Sequence, residues 1–337
     1  MGCLCLNLIG GIFPFHPSEC NGIVVFKIAD QFCGGSLAKS AHLQITFRMS
    51  KHPISKSKAA GSGIFKLGGD LPVHRLGFGA MRLTGPGVWG EPKDPAAARR
   101  LLRKVVDLGV NLIDTADSYG PEVSERQIAE ALHPYAKGLI VATKGGLTRS
   151  GPGEWAPVGR AEYLQQCVEL SLRRLNIDCI DLYQLHRLDP QVPMAETLGC
   201  LKKLRRQGKI RHIGLSEVSV DEIKQARKIV PIVSVQNLYN FGNRQSEDVL
   251  DYCTKHKLGF IPWFPLAAGK IGGPRSPLAK AAKRHGVTVS QLALAWLLHR
   301  SPVVLPIPGT SSLAHLKENV GAASIKLSKS EWAEIDR

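Results

Sequence analysis

The chain has 337 residues, with 44 Lys and Arg against 28 Asp and Glu and a formal charge of +16. A hydrophobic content of 44% beside 21% charged residues is that of a globular protein and excludes a disordered polymer, a collagen-like repeat and a disulfide-stapled miniprotein. No stretch approaches the ~20 consecutive apolar residues of a membrane helix, so no membrane partner is expected.

Residues 1–62 differ in character from the rest of the chain. Cys3, Cys5, Cys20 and Cys33 fall in a mostly apolar, aperiodic stretch. A secretory signal wants a basic region before its apolar run, yet the first basic residue is Lys27. Myristoylation wants Ser or Thr where Leu6 stands. An organelle presequence is arginine-rich, and Arg48 is alone here. The segment reads as an extension, disordered or not native, with Met49 as the candidate true start and 50–62 as a flexible polar leader.

From residue 63 to 337 one domain is expected, because short apolar runs alternate with helix-period segments. The runs 64–67 and 72–74 flank Gly68-Gly69-Asp70 and predict a hairpin. Strands are predicted over 76–81, 111–114, 139–144, 180–186, 210–216, 232–236, 259–263 and 303–307. Helices are predicted over 95–108, 122–133, 161–175, 193–207, 220–229, 246–256, 289–300 and 312–322. Eight such alternations define an α/β chain of the (β/α)8 TIM-barrel class with an N-terminal β-hairpin. A doubly wound sheet would need a glycine fingerprint running from strand into helix. The one formal match, Gly85-Pro-Gly-Val-Trp-Gly90, is followed at once by Pro92 and opens no helix.

The charge has a plain origin. Its densest run, Lys202, Lys203, Arg205, Arg206, Lys209 and Arg211, surrounds Leu201 and Leu204 at helical spacing. No aromatic interleaves with it, as single-strand stacking would require. It reads as a solvated helix face, with no nucleic-acid partner. The eight cysteines contain no CxxC pair and suit unpaired thiols in a reducing cytoplasm. His186 has no neighbours at ligand spacing, so no metal site is expected.

In a barrel, the carboxyl ends of the strands share one mouth. Those ends carry Asp114, Lys144, His186, Ser216 and Gln236, with Tyr119 in the loop Asp114-Thr-Ala-Asp-Ser-Tyr-Gly120. An acid, a lysine, a histidine and a tyrosine gathered there suit proton delivery to a carbonyl oxygen. A tyrosine is a weak acid with a pKa of about 10. A nearby lysine cation is expected to lower that value, and the carboxylate to keep the lysine charged. Such chemistry needs a hydride donor that no side chain provides, hence a nicotinamide cofactor.

These motifs resemble the aldo-keto reductases. The resemblance is carried by Asp114-Thr-Ala, Tyr119-Gly120, Ala142-Thr-Lys144, Leu185-His186-Arg187-Leu-Asp189-Pro190 and Ile213-Gly-Leu-Ser216. Val235-Gln236-Asn237 and the run from Ile307 through Asn319 extend it. It implies a barrel that binds NADPH without a Rossmann domain, with Tyr119 as proton donor assisted by Lys144, Asp114 and His186. It implies further that Ser216 and Gln236 hold the nicotinamide carboxamide and that Trp263 stacks on the ring. Pro265, Leu266, Gly269 and Lys270 would cover the pyrophosphate, Gly309, Thr310 and Ser311 would meet a phosphate, and His315, Glu318 and Asn319 would serve the adenosine end.

Two departures bear on the cofactor. Glu217 stands where many members have an Asn that contacts the carboxamide. Gly309 and His315 replace the Lys and Arg that many members use on the 2′-phosphate, leaving NADPH favoured with NADH as the alternative. The motif 80–90 and Trp155 resemble the bacterial branch that includes pyridoxal reductases, which implies reduction of pyridoxal to pyridoxine with Trp89 and Trp155 as pocket walls. A broad detoxifying carbonyl reductase and a cofactor-sensing regulatory subunit are the alternatives. A small carbonyl compound is the expected partner of a monomer or weak oligomer.

Overall fold

The structure is a computed structural model that describes residues 5–8, 11–14, 58–269, 271, 273 and 275–336. The chain divides into two compact units, Met1–Pro53 and Ile54–Arg337. In the first, Cys5–Leu8 and Gly11–Pro14 pair as an antiparallel hairpin. Met49 and the first part of the expected leader lie outside the described residues.

The end of that leader belongs to the barrel. Lys58–Ser62 is a 3-10 helix with Ala59 and Ser62 buried. The Ala59 N–H donates to the Leu108 carbonyl at 3.1 Å, and Ser62 Oγ accepts from the Leu76 N–H at 3.0 Å. Gly61 lies so close to Ala323 that a Cβ would meet its carbonyl oxygen at 2.9 Å. Alanine and glycine let this segment lie flat on the barrel, which its polar composition alone hides.

The predicted hairpin forms between Ile64–Leu67 and Leu71–His74. Gly68 and Gly69 both have positive φ, which the tight turn requires. Asp70 at its tip pairs with His212 and Arg211. Leu67, Leu71 and Val73 pack with Leu112, Ile140, Leu182 and Leu305 in one buried cluster, so the hairpin closes one end of the barrel interior.

Seven strands, Phe78–Gly79, Leu112–Asp114, Ile140–Gly145, Ile180–Leu185, Ile210–Ser216, Ile232–Gln236 and Gly259–Phe260, pair in parallel in chain order. Segment 303–307 is the eighth and closes the ring. Phe260 N–H donates to Val303 and Leu305 N–H to Phe260, at 2.9 and 2.8 Å, while Gly77 N–H reaches Pro306 O at 2.9 Å. The ladder there is shorter than the apolar run predicts because Pro302, Pro306 and Pro308 carry no N–H. Pro262 shortens the seventh strand for the same reason.

The predicted helices are present as α1 Pro95–Asp107, α2 Val123–Leu132, α3 Ala161–Leu175, α4 Met194–Arg206, α5 Val220–Ile229, α6 Glu247–His256, α8 Val289–Arg300 and α9 Leu313–Gly321. Their starts follow local chemistry: Asp94 caps α1 with Pro95 behind it, and Ser219 and Thr288 form capping boxes with Glu222 and Gln291. Two further helices, α7 Pro277–Arg284 and α10 Lys329–Asp336, are outside the prediction. No helix among the described residues is long and apolar enough to cross a membrane.

Candidate active site

Parallel register sets the polar residues at one level of the barrel mouth. Lys144 lies opposite Gln184, and Ser216 opposite Gln236. The Lys144 ammonium donates to Asp114 Oδ2 at 2.6 Å, to the Thr115 carbonyl at 2.8 Å and to Tyr119 OH at 3.4 Å. Asp114 Oδ1 accepts from Gln236 Nε2 at 2.8 Å and Gln184 Nε2 at 3.0 Å. The two charged side chains are 0% and 3% exposed. Burying such a pair is tolerable only because every proton and the facing lone pairs are used.

Titration follows from this packing. Burial alone would discharge Lys144, but Asp114 and Tyr119 outweigh it and hold its pKa above the usual lysine value. Tyr119 moves upward, because burial raises its pKa and the opposing pull of Lys144 is smaller. The expected lowering by the lysine is therefore present as an influence but does not prevail. His186 is pushed well below the usual imidazole range by burial first and by Lys144, Arg187 and Arg149 second. Its Nδ1 lies 3.3 Å from Ser118 Oγ, and its ring meets Tyr119 edge-on at 5.8 Å.

Tyr119, His186 and Asp114 face a cavity of about 690 Å³. Ser216, Gln236, Trp263, Pro265, Leu266 and Gly309 line one part of it, and Val88, Leu147, Trp155 and Leu188 another. Trp155 is 38% exposed and sets its ring edge-on to Tyr119 at 6.3 Å. Trp89 is not among the lining residues. Its ring packs 5.6 Å from the Arg149 guanidinium, which also lies 3.6 Å over Trp155. Arg149 donates to carbonyls of Gly87, Val88, Ser118, Gly151 and Glu154. One cation thus ties three loops together beneath the aromatic wall.

The Glu217 side chain is turned away from the role its position suggested. Its Oε1 accepts from Trp263 Nε1 and from the Leu238 N–H, both at 2.6 Å, and its own φ is +53°. It braces Trp263. Ser216 Oγ accepts from Arg187 at 3.1 Å. Gly309 sits where a Cβ would meet the Gly79 carbonyl at 2.7 Å, so no lysine fits there. Arg82, exposed, lines the cavity beside it.

Further along, Thr310 Oγ1 accepts from Ser312 N–H at 3.0 Å and Ser312 caps α9. Ser311 and His315 are exposed, Asn319 is buried, and Glu318 accepts from Thr288. Gly269 has φ +84° in the loop beside Ala268. Lys270 lies outside the described residues. A second cavity of about 260 Å³ is lined by Asp117, Tyr163, Cys167 and Arg174. Asp117 Oδ1 there is buried with no hydrogen-bond partner among the described residues, and burial followed by the Glu125 charge raises its carboxyl to about 7.

Sequence reasoning missed Gln184, Arg149 and Arg187. Gln184 carried a signal: a polar residue at an inward register position between Leu182 and the predicted His186 strand end. Arg149 carried none, since three of its carbonyl partners, Gly87, Val88 and Ser118, belong to loops remote in sequence.

A parallel barrel with a lysine–carboxylate pair and a tyrosine at its mouth defines an oxidoreductase of the aldo-keto type. The sequence matches the Aldo/keto reductase family over residues 75–337, and the chain belongs to that family and is an NAD(P)H-dependent oxidoreductase. It is 52% identical over 289 residues to an uncharacterized oxidoreductase of Schizosaccharomyces pombe, covering 86% of this chain and 94% of the relative. It is 42% identical over 281 residues to pyridoxine 4-dehydrogenase of Escherichia coli, covering 82% and 98%. An aldo-keto reductase from Klebsiella pneumoniae, solved in complex with NADPH, superposes with a TM-score of 0.69 at 29% identity over 81% of this chain and 93% of that one.

Proposed function

We propose that the chain reduces an aldehyde to an alcohol with NADPH, that Tyr119 is the proton donor, and that pyridoxal is the substrate. The observation that carries the reading is the Tyr119 hydroxyl at 3.4 Å from a buried, charged Lys144 and facing the cavity. The 42% identity to pyridoxine 4-dehydrogenase supports the substrate.

The residues present fit a dinucleotide. Ser216 Oγ accepts from Arg187 and keeps a proton to donate, while Gln236 spends Nε2 on Asp114 and keeps Oε1 as acceptor. That is one donor and one acceptor for a carboxamide. Trp263, braced by Glu217, offers a flat ring to the nicotinamide. Pro265, Leu266 and Gly269 would lie over the pyrophosphate. Thr310 and Ser311, with the N-terminus of α9, would receive a phosphate. Since Gly309 has no room for a cation, Arg82 and the exposed Lys317 favour NADPH over NADH, and His315, Glu318 and Asn319 would border the adenosine. When bound, the reduced nicotinamide supplies the hydride.

This chain's own part is the proton. Burial keeps Tyr119 protonated at neutral pH, as a donor must be at rest, and Lys144 stabilises the phenolate once the proton has left. Asp114 holds Lys144 charged. His186 stays neutral; with Ser118 donating to Nδ1, its Nε2–H points an additional hydrogen bond at the substrate oxygen. Trp155 forms the aromatic wall, and Trp89 supports it through Arg149. The free thiols Cys167, Cys179, Cys200 and Cys253 suit a cytoplasmic enzyme, and its action needs neither nucleic acid nor membrane.

The test is loss of absorbance at 340 nm with NADPH and then NADH, offering pyridoxal and 4-nitrobenzaldehyde separately. Faster turnover of pyridoxal with NADPH is expected. Equal or reversed rates would leave a broad carbonyl reductase, and tight NADPH binding without turnover would indicate a regulatory subunit.

A further inference from the structure

We propose that Arg187 recognises an oxyanion on the substrate, a carboxylate or an ionised phenol borne beside the carbonyl, so that the preferred substrates are anionic aldehydes. The inference rests on the reductase reading above and narrows it to a substrate class.

Arg187 lines the cavity together with Tyr119 and His186. Its NH1 nitrogen donates to the His186 carbonyl at 2.6 Å and to Ser216 Oγ at 3.1 Å. Those two bonds fix the plane of the guanidinium at the reacting end of the cavity. Nε and NH2 have no acceptor among the described residues. The carboxylates that could neutralise the group are already committed: Asp114 to Lys144, Gln184 and Gln236, and Glu217 to Trp263 and Leu238. Glu217 acts on it only through space.

Other arginines withdrawn from water are satisfied. Arg174 pairs with Glu125 and Glu122, Arg75 gives its protons to three carbonyls, and Arg149 to five. Of this group only Arg187 lines the main cavity, where it presents its open edge among largely apolar and aromatic walls that also carry Arg82, Asp114, Ser216 and Gln236. A half-buried cation without a counter-charge is costly, and a guanidinium edge matches a carboxylate or phenolate oxygen in geometry and charge. The surrounding Leu147, Trp155, Pro157 and Leu188 suit an aromatic body carrying that oxygen. Pyridoxal, with its ring oxygen next to its aldehyde, belongs to this class.

The test compares two aldehydes that differ in charge, 3-carboxybenzaldehyde and its methyl ester, in the wild-type enzyme and in Arg187→Gln. The expected kcat/KM ratio, acid over ester, is about tenfold or more in the wild type, as a charge-assisted hydrogen bond allows. It falls to near one in the variant, whatever happens to both rates together. A wild-type preference for the ester, or a ratio unchanged by the substitution, overturns the inference. A binding measurement separates this from failure of the reductase reading. Titration with 3-(hydroxymethyl)benzoate and its methyl ester, followed by tryptophan fluorescence in the presence of NADP, should show selective binding of the acid in the wild type and not in Arg187→Gln. Equal binding of acid and ester to the wild type overturns the inference even where no aldehyde is turned over.

Discussion

The Lys144 ammonium and the Asp114 carboxylate stand 2.6 Å apart and are sealed from solvent by the barrel around them. Neither is stable there alone. Lys144→Met leaves a buried carboxylate unpaired and is expected to cost about 3–5 kcal/mol. Adding Asp114→Asn should recover part of that loss, because two charges then leave together. Urea denaturation of the wild type and the two variants measures both effects. A loss below about 1 kcal/mol for Lys144→Met would mean that the pair is not buried as described.

Glu217 holds Trp263 through the indole N–H, and the same oxygen accepts from the Leu238 backbone. Glu217→Ala should therefore weaken NADPH binding by about tenfold, in line with the loss of a hydrogen bond to a charged acceptor. Glu217→Gln keeps an acceptor oxygen and should bind within about threefold of the wild type. Fluorescence titration reads both. Unchanged affinity in Glu217→Ala would remove Trp263 from the cofactor site.

Neither acid–base group at the mouth titrates near neutrality, since His186 lies well below the usual imidazole range and Tyr119 above the usual phenol value. The kcat/KM for a neutral aldehyde should vary by less than about threefold between pH 6 and 9. A limb with its midpoint near 6.5 that disappears in His186→Asn would show the imidazole to be charged at work.

Asp117 makes stability depend on pH. Its carboxyl titrates at about 7 in the folded chain, against about 3.9 in an unfolded one. Between those values the native state holds a proton that the unfolded chain has released, so stability falls as pH rises through that window. Asp117→Asn mimics the protonated form and removes the dependence. Relative to the wild type it should gain about 3 kcal/mol between pH 5 and pH 8. Parallel denaturation curves for the two proteins at both pH values would contradict the assignment.

Much of the barrel was legible because burial leaves a periodic trace. Strands Ile210–Ser216 and Ile232–Gln236 and helices α3, α5 and α8 fall at their predicted bounds. The eighth strand was overextended because prolines support an apolar run while withholding the N–H that a ladder needs. Helix α10 was missed although Ser328 and Glu331 carry the capping pattern that starts it. Its buried Trp332 and Ile335 are too few to mark a stripe.

The site divides along the same line. Strand-end residues such as Asp114, Lys144 and His186 could be placed by counting, because parallel strands align their ends. Contacts made by loops could not. The resemblance names Trp89 as a pocket wall, and the contact its ring makes with Arg149 has no trace in the sequence. Gly309 reads as a lost lysine, whereas backbone contact with Gly79 leaves no room for one. Side-chain competition for partners, as at Glu217 and Gln236, becomes visible only in three dimensions.

The most direct measurement is the rate of a single turnover of pyridoxal by the NADPH-loaded enzyme, wild type against Tyr119→Phe, with cofactor affinity measured alongside. Loss of the proton donor should slow the variant by about 10²–10⁴, with the NADPH dissociation constant within about threefold of the wild type. A variant that turns over at close to the wild-type rate would show that the proton comes from elsewhere.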